Sequence, residues 1–412
     1  MKVAFAWIAA LLAALAVVGC GGGSSASAPT NVVAVAHDSS ATIVWDMESN
    51  VEYWLWLAAA PTVSSDTCAN TAGCVIRRGV SSPYLLSGLV NGTTYSAVIN
   101  GRINGGAGGP DGAPVTFTPK AAGSSWKVGT PLGTANLLAV AYTPATTTTG
   151  PTFVTVGQGG TIFSSADALV WTARTSNVTA NLNAVVFAGT QFVAVGDGGT
   201  IVTSADGIAW TTRTSGTANN LYGVAVASVF VAAVGANGTI FTSTDSGSTW
   251  TAQTSGTTGD LFAVTVSATS QFVAVGANGT LVSSGNGTTW AVGNSQTTLD
   301  LKAITWSGSG LTGLFVAVGA AGALVTSGNG TAWTAQTPIA PVSLAGIVAG
   351  SQFVTVGGGG AIFTSTDGIT WQAAASGTTN DLYAVTFTGT SSLTTQIGYV
   401  AVGAAGTNLT SF

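Results

Sequence analysis

The chain has 412 residues, of which 46% are hydrophobic and only 6% charged, with a net charge of −5 and a single histidine. That is enough apolar material for more than one core, and too little positive charge for a nucleic-acid groove or for charge-driven adhesion to anionic lipid. Gly, Thr, Ser and Ala fill the positions that charged residues occupy in most surfaces, so function has to be sought in a few unusual side chains.

The N-terminus opens with Lys2 and an apolar run from Phe5 to Val18. That run is shorter than the roughly 20 residues a spanning helix needs, which makes it a signal-peptide core. Val17-Val18-Gly19-Cys20 resembles the bacterial lipobox, in which the cysteine becomes the lipidated first residue of the mature protein. The resemblance implies a signal peptide over 1–20 and a lipid anchor at Cys20; plain secretory cleavage nearby is the alternative. Gly21 stands where an Asp would signal inner-membrane retention, so the expected location is the outer membrane. Residues 21–29, GGGSSASAP, are expected to form a flexible tether.

Residues 30–119 read as short alternating strands broken by turns, ATIVW at 41–45 and VEYWLWL at 51–57 among them, with Asn91-Gly92 turning the chain before TTYSAVI. The pattern predicts a β-sandwich. It resembles a fibronectin type III domain through Trp45, Tyr53 and the stretch LLSGLVNGTTY, in which the resemblance makes Tyr95 the tyrosine of a corner motif. Strand alternation sets Trp54 and Trp56 opposite Tyr53, Leu55 and Leu57. The two tryptophans then form an exposed interaction patch, or they pack under a loop or against the second domain. Cys68 and Cys74 suit a disulfide in an oxidising compartment; a two-thiol metal site lacks partners, since His37 is the one histidine.

A linker is expected at 120–125, and from there Trp recurs at Trp126, Trp171, Trp210, Trp250, Trp290, Trp333 and Trp371, with a period of about forty residues, the mark of a propeller. Each unit repeats one grammar: DLFAVTV, then QFVAVGANG, then TLVSSGNGTTW. The seventh unit stops at TNLTSF without its Trp strand, while Ser125-Trp126-Lys127-Val128 at the start has no first three strands. The N-terminal strand is therefore expected to complete the last blade, giving an all-β protein with a seven-bladed ring over 126–412.

STDSGSTW at 243–250 and its shorter copies around Asp167, Asp206 and Asp367 match the Asp-box, a turn in which the Asp accepts backbone N–H groups and the Trp closes over the hairpin. Asn286 and Asn329 replace the Asp before Trp290 and Trp333. These are structural positions. The repeat resembles the photosystem II stability and assembly factor family and, more loosely, the Asp-box sialidases. The second likeness implies an arginine triad, which a propeller containing only Arg174 and Arg213 lacks. The first implies a protein-binding role, exercised in that family through a basic patch; here Lys127, Arg174, Arg213 and Lys302 are the propeller's basic residues.

Within the repeats one column varies: Leu138, Asn183, Tyr222, Phe262, Lys302, Ala345 and Tyr383. Two residues before it stands a polar column, Asn136, Asn181, Asn220, Asp260, Asp300, Ser343 and Asp381, read as starting each strand with a turn bond. First strands line a propeller channel, so Tyr222, Asp260, Phe262, Asp300, Lys302, Asp381 and Tyr383 form the candidate binding mouth. No catalytic constellation, cofactor site or phosphate loop emerges; the glycine runs are hairpin turns. The reading is a non-enzymatic binding or scaffold lipoprotein of the cell envelope with an envelope protein as partner. The alternative is a glycan-binding or glycosidase-like propeller using Asp260, Asp300 and Asp381.

Overall fold

The computed structural model describes residues 25–143, 152–309, 312–388 and 398–411. Cys20, the apolar run before it and the first residues of the expected tether lie outside this range. Among the described residues, no helix is long and apolar enough to cross a membrane. The chain divides at Pro119/Lys120 into two compact units.

The first unit holds seven strands, β1 (Val33–His37), β2 (Ser40–Val44), β3 (Val51–Ala58), β4 (Val75–Val80), β5 (Tyr84–Ser87), β6 (Tyr95–Ile103) and β7 (Val115–Phe117). They form two antiparallel sheets, ordered β1-β2-β5 and β4-β3-β6-β7. Alternation of side chains lets each sheet offer one apolar face to a shared core of Ile43, Trp45, Tyr53, Leu55, Leu57, Leu86, Tyr95, Ile99 and Phe117. Trp45 meets Tyr53 edge-on at 5.6 Å. The Tyr95 hydroxyl turns back to accept the Val90 N–H at 3.0 Å, fixing the corner before β6. The expected tether is not free over its whole length: Ser25 bridges to Arg102 of β6 and Ala26 is buried, because β7 is too short to cover that end of the sheet.

The second unit contains seven four-stranded antiparallel sheets among its described residues. In one of them Leu221–Ala227, Phe230–Gly235, Ile240–Ser243 and Thr251–Gln253 pair in order. The first strands of successive sheets lie side by side, and that of the last sheet, Leu382–Phe387, lies beside that of the first, Leu137–Thr143. The last sheet takes its fourth strand from the start of the unit: β8 (Trp126–Val128) pairs with Asn408–Ser411.

Residues of the expected linker 120–125 pack against that sheet. In the complete turns, Ser284 and Ser327 accept the N–H of Gly287 and Gly330, and the Trp290 and Trp333 indoles donate to those glycines' carbonyls. In the last sheet Ser411 Oγ accepts the Gly123 N–H at 2.7 Å and Trp126 Nε1 donates to Gly123 O at 2.7 Å, so one turn is divided between two distant chain segments. Ala122 is buried there, and Trp126 packs on Tyr399 at 6.3 Å just as Trp290 packs on Phe272 at 6.2 Å.

Candidate functional site

The antiparallel register places the turn between second and third strands at one end of each sheet and the Asp-box turn at the other. At the Asp-box end, Asp245 Oδ1 accepts the N–H groups of Ser248 (3.0 Å) and Thr249 (2.8 Å), and Asp367 Oδ1 those of Ile369 (2.8 Å) and Thr370 (2.7 Å). Asp167 and Asp206 repeat the pattern, and Asn286 and Asn329 do so without charge. Trp210, Trp290 and Trp333 are buried, and Trp171, Trp250 and Trp371 half-buried.

Donation from the Thr249 N–H holds the Asp245 carboxyl down at about 2, and donation from the Thr370 N–H does the same for Asp367. A depressed folded-state value contributes stability above the ordinary 3.8 that is lost as pH falls towards 2. Melting temperatures should therefore drop between about pH 4 and pH 2. The changes Asp245→Asn and Asp367→Asn, copying the chain's own Asn286 and Asn329, should flatten that drop. Identical acid profiles for wild type and double variant would refute the assignment.

At the opposite end stand the mouth residues. Asp260, Asp300 and Asp381 start the first strands of their sheets, and each is already engaged by the sheet before it. Asp260 Oδ1 accepts the Asn237 N–H (2.8 Å), Asp300 Oδ1 the Asn278 N–H (2.9 Å) and Asp381 Oδ1 the Gly359 N–H (2.7 Å). Asn181, Asn220 and Asn136 do likewise to Gly159, Gly198 and Ala405. Meanwhile the main-chain carbonyls of Asp260, Asp300 and Asp381 accept the first N–H of their own sheet's turn. The polar column thus corrects the expected local turn bond: it is a staple between neighbouring sheets, and Asn136 staples the first to the last. Ser343 is too short for this and leaves its buried Oγ without a partner.

Tyr222 and Phe262 stand on adjacent inner strands with ring centroids 5.9 Å apart, both half-buried. Lys302 is exposed on the next strand. Burial, reinforced by the Asp381 charge, raises the Tyr383 hydroxyl's pKa, so it stays a neutral donor at physiological pH. Asp197 joins the mouth from outside the two columns, in a turn where other repeats carry Ala, Gly or Gln. It accepts Asn181 Nδ2 (2.9 Å) and Asn183 Nδ2 (2.8 Å), and Asn183 also donates to Leu221 O (2.9 Å). A cleft of about 750 Å³ further out is lined by Thr217, Asn219, Thr254, Ser255 and Thr257, with Phe241 its one aromatic.

In the first unit the two tryptophans differ, and of the alternatives left open by the sequence Trp56 follows the packing under a loop. Trp56 is buried with Val63, Cys68 and Val98 beneath the loop closed by the Cys68–Cys74 disulfide, whose Cα atoms are 5.4 Å apart. Trp54 stays half-buried, its ring contacted by Arg102 Cζ at 3.7 Å and Arg78 Cζ at 4.4 Å from the centroid.

No three His, Cys, Asp or Glu among the described residues are grouped as a metal ion would require. No curated protein matches the chain. Among solved structures, "YCF48 bound to D1 peptide" is similar with a TM-score of 0.54 and 20% identity, covering 69% of this chain and 96% of that one. YCF48 from Cyanidioschyzon merolae gives 0.56 and 18%, covering 70% and 98%. The WD40 repeats of RRP9 give 0.56 at only 10% identity, covering 70% and 98%. Likeness at such identities carries the fold, a β-propeller, while the family follows from the sequence match over residues 118–410. The chain belongs to the Photosynthesis system II assembly factor YCF48 family.

Proposed function

We propose that this chain is a non-enzymatic binding or scaffold protein of the bacterial envelope. In this reading Cys20 carries a lipid anchor to the outer membrane, a fibronectin type III-like sandwich follows, and a seven-bladed ring closed by β8 presents its inner-strand mouth to a protein partner. The observation that carries the reading is the division of labour at the mouth. Asp260, Asp300 and Asp381 are tied into neighbouring turns, whereas Tyr222, Phe262, Lys302 and Tyr383 differ from repeat to repeat on an otherwise uniform frame. Carboxylates that hold the ring together are poorly placed for paired acid–base work. A solved relative, YCF48, is bound to D1 peptide, which supports a protein segment as the occupant. The ring pair of Tyr222 and Phe262 also suits sugar stacking, which keeps glycan binding as the second reading.

Changing Phe262 and Tyr383 together to Ala should cost about 1–2 kcal/mol of stability, since both are half-buried. It should weaken an envelope partner captured by cross-linking in the native membrane at least about tenfold. Undiminished capture would remove the mouth from the function, and turnover of a polysaccharide abolished by the same change would favour the glycan reading.

A further inference from the structure

The outward face of the β4-β3-β6 sheet gathers side chains that the sequence scatters. Register sets Arg78 of β4 and Asn100 of β6 on either side of Trp54, Arg102 beside Glu52, and Ile76 and Val98 on either side of Trp56. Trp54 lies against both guanidiniums and donates to Glu52 Oε1 at 2.8 Å. Along the edge strand β4, Arg77 and Arg78 are exposed beside Val75 and Ile76, themselves 36% and 40% exposed. Asp111, the nearby acid, is occupied by Ser65 N–H (2.8 Å) and Asn100 Nδ2 (3.3 Å). Arg78 and Arg102 thus share one face with Trp54 and Ile76, while Arg77 and Val75, paired with Leu55 and Leu57, leave the exposed β4 edge on its other side. Tryptophan, arginine and aliphatic groups together suit a lipid–water interface, where guanidiniums meet phosphates and the indole sits at headgroup depth.

The position of the chain's N-terminal segment selects the occupant. Ser25 pairs with Arg102 on this same sheet, so the chain enters the unit beside the patch. Cys20 lies five residues earlier, a stretch that spans at most about 18 Å. We propose that the β4 edge of this sheet rests on the anionic headgroup surface of the membrane that holds the anchor, with Arg78 on the Trp54 side of the strand and Arg77 on the other meeting lipid phosphates. The inference rests on the lipid-anchor reading for its effective concentration. The contacts themselves are weak and salt-sensitive, because the chain as a whole is acidic.

The full chain carrying Cys20→Ser, which removes the anchor, should sediment with phosphatidylcholine vesicles that contain phosphatidylglycerol and not with phosphatidylcholine alone, and added salt should release it. Arg77→Glu with Arg78→Glu should weaken that binding at least about tenfold while the melting temperature holds. Equal sedimentation with both vesicles, none with either, or anionic binding that survives both salt and charge reversal would overturn the proposal. Capture by soluble alginate without vesicle binding would reassign the edge to an acidic glycan. The anchor is tested separately in cells: release of the Cys20→Ser chain to the soluble fraction supports it, and membrane retention of a chain carrying Cys20→Ser together with Arg77→Glu and Arg78→Glu sinks it.

Discussion

Deletion of residues 121–130 should lower the stability of the propeller unit by about 4 kcal/mol, a fall of roughly 10 °C in melting temperature. The segment supplies β8, the buried Ala122, the Trp126 ring packed on Tyr399, and the Gly123 N–H that satisfies Ser411 Oγ. Its loss bares Asn408–Ser411 as an unpaired edge and leaves Leu409, now fully buried, without its cover. Trp126→Ala alone, which keeps the strand, should cost about 2 kcal/mol less. Differential scanning calorimetry decides the matter: a deletion variant melting with wild type would mean that the last sheet stands on three strands.

The second large effect is expected at a single glycine. A Cβ on Gly276 would drive into the Asp260 carbonyl, the acceptor of the Ala277 N–H, so Gly276→Ala should cost about 3 kcal/mol through overpacking and a broken bond. Two residues on, Asn278 holds φ at 53°, where glycine is at home, and Asn278→Gly should stay within about 0.5 kcal/mol. Denaturant midpoints for the two variants should therefore separate widely. Equal losses would mean that turn conformation, and not the close approach of two backbones, makes Gly276 necessary.

Much of the propeller was legible because its determinants are local. An Asp, a glycine and a Trp within eight residues carry a complete turn, and a period of about forty residues repeats it often enough to exclude coincidence. The pairing of β8 with the last strands was legible by subtraction, since one unit lacked a Trp strand and the other end had one to spare. The polar column was visible but its role was not: the partner of Asp260 is Asn237, in the preceding sheet, and a linear pattern does not say which neighbour an acceptor serves. Trp56 was left between two alternatives for a similar reason. Alternation assigned its face correctly, but the loop from Val63 to Cys74 folds over that face, a tertiary event no strand pattern contains. The contact of Arg78 and Arg102 on Trp54 was hidden too, because the two arginines are far apart in sequence and meet only through the β4-β3-β6 order.

The turn divided between Ser411 and Gly123 joins residues 288 positions apart. A chain synthesised N-terminus first presents β8 early, yet its partner strand Asn408–Ser411 follows the strands of the other six sheets. Six sheets can pair as they appear, while the seventh waits for Asn408–Ser411, and until then the first and last inner strands lack each other's cover. Completion of the last sheet thus waits for Asn408–Ser411, and a chain clipped ahead of Asn408 would be left with its seam open.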